Sequence, residues 1–411
     1  MLSRRQFLTR TLQGSSLLAL GSVVPGFLAN TARAAEAGKD TILVVIEMSG
    51  GNDGLNTVIP YTDDLYHKAR PTLGITKDQV IKVDDHIGLN PAMNGFQQML
   101  RDGQLSVVQG IGYPNPDRSH FESMDVWQSA DPKRKTGSGW IGRTVPDLQD
   151  KKGNVPVIQV GANRLPLALQ GAPGGVVSLN NRQAYRLDLG GDPAKQKARR
   201  KLLEDLAEPT GKEDDLLQFV QRREVQTYTT LDRIQEVLKA DRPNDRGELY
   251  TNLGQKIGLI AKLIDKGFGT RVFYVNIDGF DTHSAQAQGQ PPLLREIADA
   301  VNFLFNSLRQ SGNDKRVLVM TFSEFGRRVV ENGSKGTDHG SGSCLFVAGP
   351  GVKGGLVGDH PSLKDLDDGD LKYHTDFRRL YATLLDQWLG CDSRTVLGAK
   401  FEPLELLKPR T

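Results

Sequence analysis

Several loops of this chain carry the residue types that metal-assisted hydrolysis needs. One is Ser49-Gly50-Gly51-Asn52-Asp53-Gly54-Leu55-Asn56-Thr57, where glycines let the backbone turn tightly and Asp53 presents a carboxylate. A second is Tyr113-Pro114-Asn115-Pro116-Asp117-Arg118-Ser119-His120-Phe121. A third is Asp278-Gly279-Phe280-Asp281-Thr282-His283. Next comes Ser323-Glu324-Phe325-Gly326-Arg327-Arg328, running on to Thr337-Asp338-His339-Gly340, and last Lys372-Tyr373-His374-Thr375-Asp376. Three of the seven histidines, His283, His339 and His374, stand beside carboxylates in these loops. Asp and His together, without Cys, suit Zn, Mn or another borderline divalent ion. Carboxylates lower the net charge of such a site, and neutral imidazoles supply directional nitrogen ligands. Taken singly, each pair also reads as surface hydrogen-bonding residues. Their shared placement is what points to a metal.

That placement comes from the elements between the loops. Near-continuous apolar runs at 41–48, 105–110, 155–160, 271–277, 316–322 and 344–348 predict strands of a sheet covered on both faces. Helical patterns at 119–129, 213–238, 248–266, 293–310 and 375–389 alternate with them. This predicts an α/β fold: a mostly parallel central sheet with helices on both faces. In such sheets ligands bind outside the carboxyl ends of the strands, where the loops above fall. The Tyr113 loop ends at a predicted helix start, so a hydroxyl there sits in the positive end of a helix dipole. The stretch 181–246 is charged and helical in pattern, with Pro193, Pro209 and Pro243 as punctuation. It reads as a helical insertion on the sheet, either a lid or a solvated structural helix pair.

The N-terminus predicts export. Arg4-Arg5 precedes an uncharged apolar stretch at 12–29, and Ala32-Arg33-Ala34 offers a cleavage site. Paired arginines mark the twin-arginine route, which carries folded proteins, so a signal peptide at 1–34 and a periplasmic or secreted mature chain are expected. One physical reason to export a folded chain is a metal inserted beforehand. The remainder, 35–411, is expected to be a single domain with no stable membrane span. Its translocase is expected as a partner during export, beside a small-molecule or polymer substrate. With 52 basic and 49 acidic side chains, the formal charge of +3 argues against nucleic acid as a partner. Cys344 and Cys391 make no disulfide framework, and Cys344 lies in an apolar run that predicts a buried thiol.

The motifs Ser-Gly-Gly-Asn-Asp-Gly-Leu-Asn-Thr, Ser-His-Phe, Gly-Phe-Asp-Thr-His, Ser-Glu-Phe-Gly-Arg and Thr-Asp-His-Gly, with the twin-arginine start, resemble the bacterial family called domain of unknown function fifteen-oh-one. The resemblance runs from about residue 41 to 390. It implies the alkaline phosphatase-like superfamily, which also holds sulfatases and cofactor-independent phosphoglycerate mutases. By this resemblance two divalent ions are expected, one held by Asp281, His283 and His374, the other by Asp53, Asp338 and His339. Ser119 is the expected nucleophile, with Ser123 and Thr57 as competing hydroxyls. Arg118 or Arg327 is expected to bind the equatorial oxygens of an ester group, and Glu324 is an extra ligand or base, or else a cap or salt-bridge partner.

The resemblance thus implies an exported hydrolase of phosphate or sulfate esters. The C/S-x-P-x-R pattern that sulfatases convert to formylglycine is absent, as are the phosphate-loop and nucleophile-elbow motifs. Two rival readings stand beside it. One is a non-catalytic secreted binding or assembly protein on the same fold. The other is a metal-free hydrolase using Ser119 and His283.

Overall fold

The strands form where aliphatic and β-branched residues run without interruption. In the computed structural model, which describes residues 40–149, 154–161, 164–171, 176–179, 234 and 249–409, nine strands make the main sheet. They are β1 (Ile42–Ser49), β2 (Leu105–Gly112), β3 (Val157–Val160), β4 (Val176–Leu179), β5 (Val272–Asp278), β6 (Val317–Phe322), β7 (Ser343–Ala348), β8 (Gly355–Val357) and β9 (Thr375–Asp376). The spatial order is β8-β2-β7-β6-β1-β5-β3-β4, with β9 beside the end of β2. β1 pairs in parallel with β5 and β6, and β3 in parallel with β5 and β4. Only β7 is reversed, lying antiparallel to both β6 and β2. The expected signal peptide and, apart from Ile234, the expected insertion at 181–246 lie outside the described residues.

Both faces of the sheet are covered, as the unbroken apolar strands require. Ile42, Val44, Ile46 and Met48 of β1 join one core, while Leu43 and Val45 join the other. The first core is closed by α2 (Gly95–Arg101), α5 (Asn252–Asp265) and α6 (Gln286–Arg309), α1 (Asp64–Ala69) lying with a smaller apolar cluster. The second is closed by α3 (His120–Ser129), α4 (Trp140–Leu148), α7 (Phe377–Thr383) and α8 (Ser393–Leu397). Each fully buried Leu, Ile, Val or Phe contributes about 1.5–3 kcal/mol. Among the described residues no helix is long and apolar enough to cross a membrane. Cys344 and Cys391 are free and buried, and burial pushes each thiol up to about 12.

Two helices depart from expectation. α6 begins at Gln286 rather than 293, running through Pro291 and Pro292. Its first turns are anchored by side chains: Gln290 Nε2 donates to the Asp53 carbonyl at 3.0 Å and Gln286 Oε1 accepts from Thr337 Oγ1 at 2.6 Å. These tertiary bonds outweigh the helix-breaking tendency of proline. The span expected as one helix at 375–389 divides into β9, α7 and a wider π-helical turn, Leu384–Leu389.

The consequence for chemistry is topological. β1, β2, β5 and β6 end at one edge of the sheet, and the reversed β7 starts there. The loops after four strands and the loop before a fifth therefore meet along one rim.

Candidate metal centre

A close backbone approach and one buried side chain bring the loops together. Gly50 has φ +119°, and a Cβ there would lie 2.3 Å from the amide nitrogen of Asp281, so only glycine lets the β1 loop touch the β5 loop. Arg327 then ties the rim. It is 1 % exposed, and its guanidinium donates to the carbonyls of Gly51 at 2.7 Å, Thr337 at 2.8 Å, Phe280 at 3.1 Å and also Gly50. Its Nη2 further donates to Asp281 Oδ1 at 2.7 Å.

Asp281 is the hub of three imidazoles. His283 Nε2 lies 3.2 Å and His339 Nε2 3.3 Å from Asp281 Oδ1, while His120 Nε2 lies 3.5 Å from Oδ2. The Nε2 atoms of His283 and His339 are 2.8 Å apart. Each ring is held from behind through Nδ1. That of His120 donates to Glu324 Oε1 at 2.8 Å, that of His283 to Asp338 Oδ1 at 3.1 Å, and that of His339 to the Arg118 carbonyl at 2.7 Å. A carbonyl or ionised carboxylate cannot donate, so the proton sits on Nδ1 in every case. In the neutral rings all three Nε2 lone pairs are left facing one carboxylate. Lone pairs so placed repel unless a cation lies among them. Three imidazoles and a carboxylate are a common donor set for a four-coordinate divalent ion, and ligand atoms about 2.0–2.1 Å from such an ion would stand about 3.3 Å apart. The observed 2.8–3.5 Å separations bracket that value, and ligand atoms of His120, Asp281 and His339 all lie within 4.8 Å of one another, so these three residues could hold an ion, with His283 beside His339.

The electrostatics of these groups follow from burial and from their partners. Burial works to raise Asp281, but the hydrogen bond and charge of Arg327 hold its carboxyl below the usual range. Burial pushes His339 down, which keeps it neutral. Asp338 is lowered by hydrogen bonds from Asn332 and His283. Glu324 is 2 % exposed, and burial alone would raise it. Bonds from His120, Gly50 and Ser323 instead bring it below its ordinary value, and its hydrogen bond and charge raise His120 in turn.

The structure brings together Asp281, His283, Asp338, His339, Glu324 and Arg327 from the sequence expectations, with Asp338 and Glu324 supporting imidazoles rather than facing the hub. His120 is not among the ligands that the sequence suggests. Its place in Ser-His-Phe at a helix start was the only signal, because its carboxylate partner comes from the far side of β6. Asp53 is placed elsewhere: it is 1 % exposed, and its oxygens accept from Arg70, Gln286 and the Leu55 amide. His374 is also apart, with Nε2 donating to the Asp359 carbonyl at 2.7 Å and Nδ1 beside Thr375 Oγ1 at 3.0 Å. Arg118 turns its guanidinium to Asp370 and Asp368, at 2.8 and 3.1 Å.

Among the three hydroxyls weighed from sequence, Ser123 donates to the Asp117 carbonyl and Thr57 to the Asp53 carbonyl, both from buried positions. Ser119 caps the chain at the start of α3, and its hydroxyl makes no bond to the helix. Next to the hub lies an open cleft of about 410 Å³, lined by Glu47, Ser49, Gly50, His120, Phe121, Met124, Asp125, Asp281 and Glu324.

No curated protein sequence matches the chain. Its path is similar to that of several solved structures. A protein in the alkaline phosphatase superfamily from Vibrio parahaemolyticus is 11% identical, with TM-score 0.37 over 89% of this chain and 70% of that one. A sulfatase from Pseudoalteromonas sp. is 10% identical, with TM-score 0.38 over 92% and 72%. The lipoteichoic acid synthase LtaP from Listeria monocytogenes is 10% identical, with TM-score 0.36 over 85% and 80%. In sequence, residues 40–402 match the family described as "Protein of unknown function (DUF1501)", and the chain belongs to that family.

Proposed function

We propose that this protein is an exported metal-dependent hydrolase of phosphate or sulfate esters, working at a single divalent ion, Zn or Mn, held by His120, Asp281, His283 and His339. The observation that carries the reading is the convergence of three Nδ1-anchored imidazoles on one carboxylate. Anchors of this kind fix the tautomer and orientation of metal-ligating histidines. A divalent ion there supplies Lewis-acid stabilisation of the charge that develops on the ester group. The chain's own residues do the rest. Arg327 holds Asp281 ionised and in place. Glu324, Asp338 and the Arg118 carbonyl keep the three Nε2 lone pairs turned inward. Ser119, at the positive end of the ten-residue α3, offers the uncommitted hydroxyl expected as nucleophile. The two-ion arrangement implied by the resemblance is not carried into this reading, since Asp53 is held by Arg70 and His374 by the Asp359 carbonyl.

A second reading is metal binding without catalysis. It is favoured by the state of the arginines: Arg327 is spent on carbonyls and Arg118 on Asp368 and Asp370, so neither offers a free guanidinium to an ester anion.

The test is metal content by mass spectrometry on the exported mature chain and on His283→Ala/His339→Ala, followed by turnover of para-nitrophenyl phosphate, bis-phosphate and sulfate. One ion per chain, lost in the double variant together with turnover, supports the hydrolase. One ion without turnover of any ester moves the second reading to the front. No ion in a folded wild type removes both. Sequencing the N-terminus of the same material tests export, with cleavage expected after Ala34.

A further inference from the structure

The cleft contains a buried carboxyl that the reading above does not use. Glu47 and Ser49 are two apart on β1, so their side chains leave the same face of the sheet. Both line the cleft with His120 and Asp281. Ser49 Oγ and Glu47 Oε1 share a hydrogen bond of 3.0 Å, donated by the serine to the ionised carboxylate and by the carboxyl to the serine when Glu47 is protonated. The other oxygen, Oε2, accepts from Gln128 Nε2 at 2.6 Å and from the Tyr274 hydroxyl. Glu47 is 8 % exposed, and among the described residues no lysine or arginine pairs with it. The titratable groups acting on it are Tyr274 of β5, Tyr381 of α7 and Glu324 beyond β6, none of them a cation, while His120 and Asp125 of α3 and Asp281 after β5 line the same cleft. A buried carboxyl without a counter-charge is costly as an ion and cheap as an acid. Burial raises Glu47 above its ordinary value despite the bonds from Tyr274, Ser49 and Gln128. The pair is tied to the metal centre as well: the amide of Gly50, next to Ser49, donates to the Glu324 oxygen that holds His120.

A hydroxyl and a carboxyl within hydrogen-bond reach, the carboxyl oriented by further groups, form a proton-handling pair. We propose that Glu47 and Ser49 relay a proton to the leaving oxygen of an alcohol ester bound in the cleft, Glu47 as proton source and Ser49 as the group touching that oxygen. The proposal rests on the hydrolase reading. As the P–O or S–O bond to the alcohol breaks, its electron pair stays on the alcohol oxygen. That oxygen takes the Ser49 hydroxyl proton while Ser49 takes the proton of Glu47. The broken bond is replaced by one from Ser119 Oγ, whose proton leaves to solvent and is regained when water displaces the serine; over the full turnover the hydroxyl of water ends on the released acid group, and the second proton of water returns to Glu47. The sum is ester plus water giving alcohol plus acid. The opposite lip of the cleft, with Phe121 at 84 % exposure and Met124, supplies the apolar surface for the alcohol's carbon part. Alcohol oxygens are poor leaving groups, and these are the substrates for which a proton source matters most.

The experiment compares the metal-loaded mature chain with Glu47→Gln and Ser49→Ala on an alkyl ester, such as glycerol phosphate or an alkyl sulfate, and on the para-nitrophenyl ester of the same acid. General acid help is worth about 10²–10⁴-fold, so each variant should lose about 10²-fold or more on the alkyl ester and only a few-fold on the nitrophenyl ester. The high-pH fall in kcat on the alkyl ester should disappear in Glu47→Gln. In addition, carbon-13 NMR of glutamate-labelled protein without added metal should find a carboxyl titrating above the ordinary glutamate range that is missing from Glu47→Gln. Equal losses on both esters, no loss on either, or a Glu47 carboxyl titrating in the ordinary range overturns the relay while leaving the hydrolase in place. A wild type that turns over neither ester overturns the hydrolase reading and the relay with it.

Discussion

Glu324→Gln is the sharpest single test of how the centre is held. The Oε1 of Glu324 accepts from the Gly50 amide and from His120 Nδ1, both at 2.8 Å, and Oε2 meets Ser323 Oγ at 2.9 Å. A glutamine can place its carbonyl oxygen at the first position and its amide toward the serine oxygen, so no buried group is orphaned. What is lost is the negative charge behind His120. Outer partners of metal-ligating histidines are worth about 10–100-fold in affinity, or about 1.4–2.7 kcal/mol. The cost to folding should be smaller, about 1 kcal/mol, the difference between a charge-assisted and a neutral bond. Isothermal titration with Zn²⁺ or Mn²⁺ reads the first quantity and thermal unfolding of the metal-free chain the second. Glu324→Ala is the contrast, because it leaves the Gly50 amide and the His120 ring without their acceptor and should lose a further 1–3 kcal/mol or so of stability. An unchanged ion affinity in a folded Glu324→Gln variant would refute the role assigned to this carboxylate.

Three other outcomes are expected. Asp53→Ala should destabilise the chain by about 3–5 kcal/mol, because it strands the fully buried Arg70 guanidinium, and Asp53→Ala/Arg70→Met should recover much of that loss in a thermal melt; a mild single variant would return Asp53 to the list of ion ligands. Glu47 has a raised folded-state pKa, so its contribution to stability is complete below its unfolded value of 4.5 and is lost as pH rises through the folded value. Wild type should therefore lose stability relative to Glu47→Gln with rising pH, by at most about 1.4 kcal/mol per pH unit, in chemical denaturation. Cys344 and Cys391, both buried with thiols pushed up to about 12, should resist alkylation in the native protein and react only on unfolding, and reductant should leave Tm unchanged.

The sheet was legible because its strands are apolar on both faces. The runs at 41–48, 105–110, 155–160, 271–277, 316–322 and 344–348 all match strands to within two residues at each end. β4, β8 and β9 were not read from sequence: β4, four residues long, is set by pairing with β3, and β8 and β9, at three and two residues, by pairing with β2, and none leaves a pattern of its own. The reversal of β7 is foreshadowed by the absence of a helical pattern between 323 and 342, since a parallel return needs a crossover. At the site, the loops were legible but the partners were not. Asp281, His283, Asp338 and His339 stand out as adjacent acid–imidazole pairs. His120 has its acid, Glu324, across the rim, and Asp53 has its base, Arg70, in α1's C-terminal cap. A search for carboxylates near histidines in sequence finds the first kind and is blind to the second.

The three imidazoles come from three loops that meet only when β2, β5 and the β6–β7 connection lie side by side. An unfolded chain offers no comparable cage, so an ion held there binds the native state almost alone. The ion then acts on folding by mass action: at a free concentration one hundred times its Kd it would add about 2.7 kcal/mol to global stability. The protein's thermal tolerance would accordingly track the divalent-ion content of its surroundings, and a chelator would act on it as a mild denaturant well before any effect on chemistry is measured.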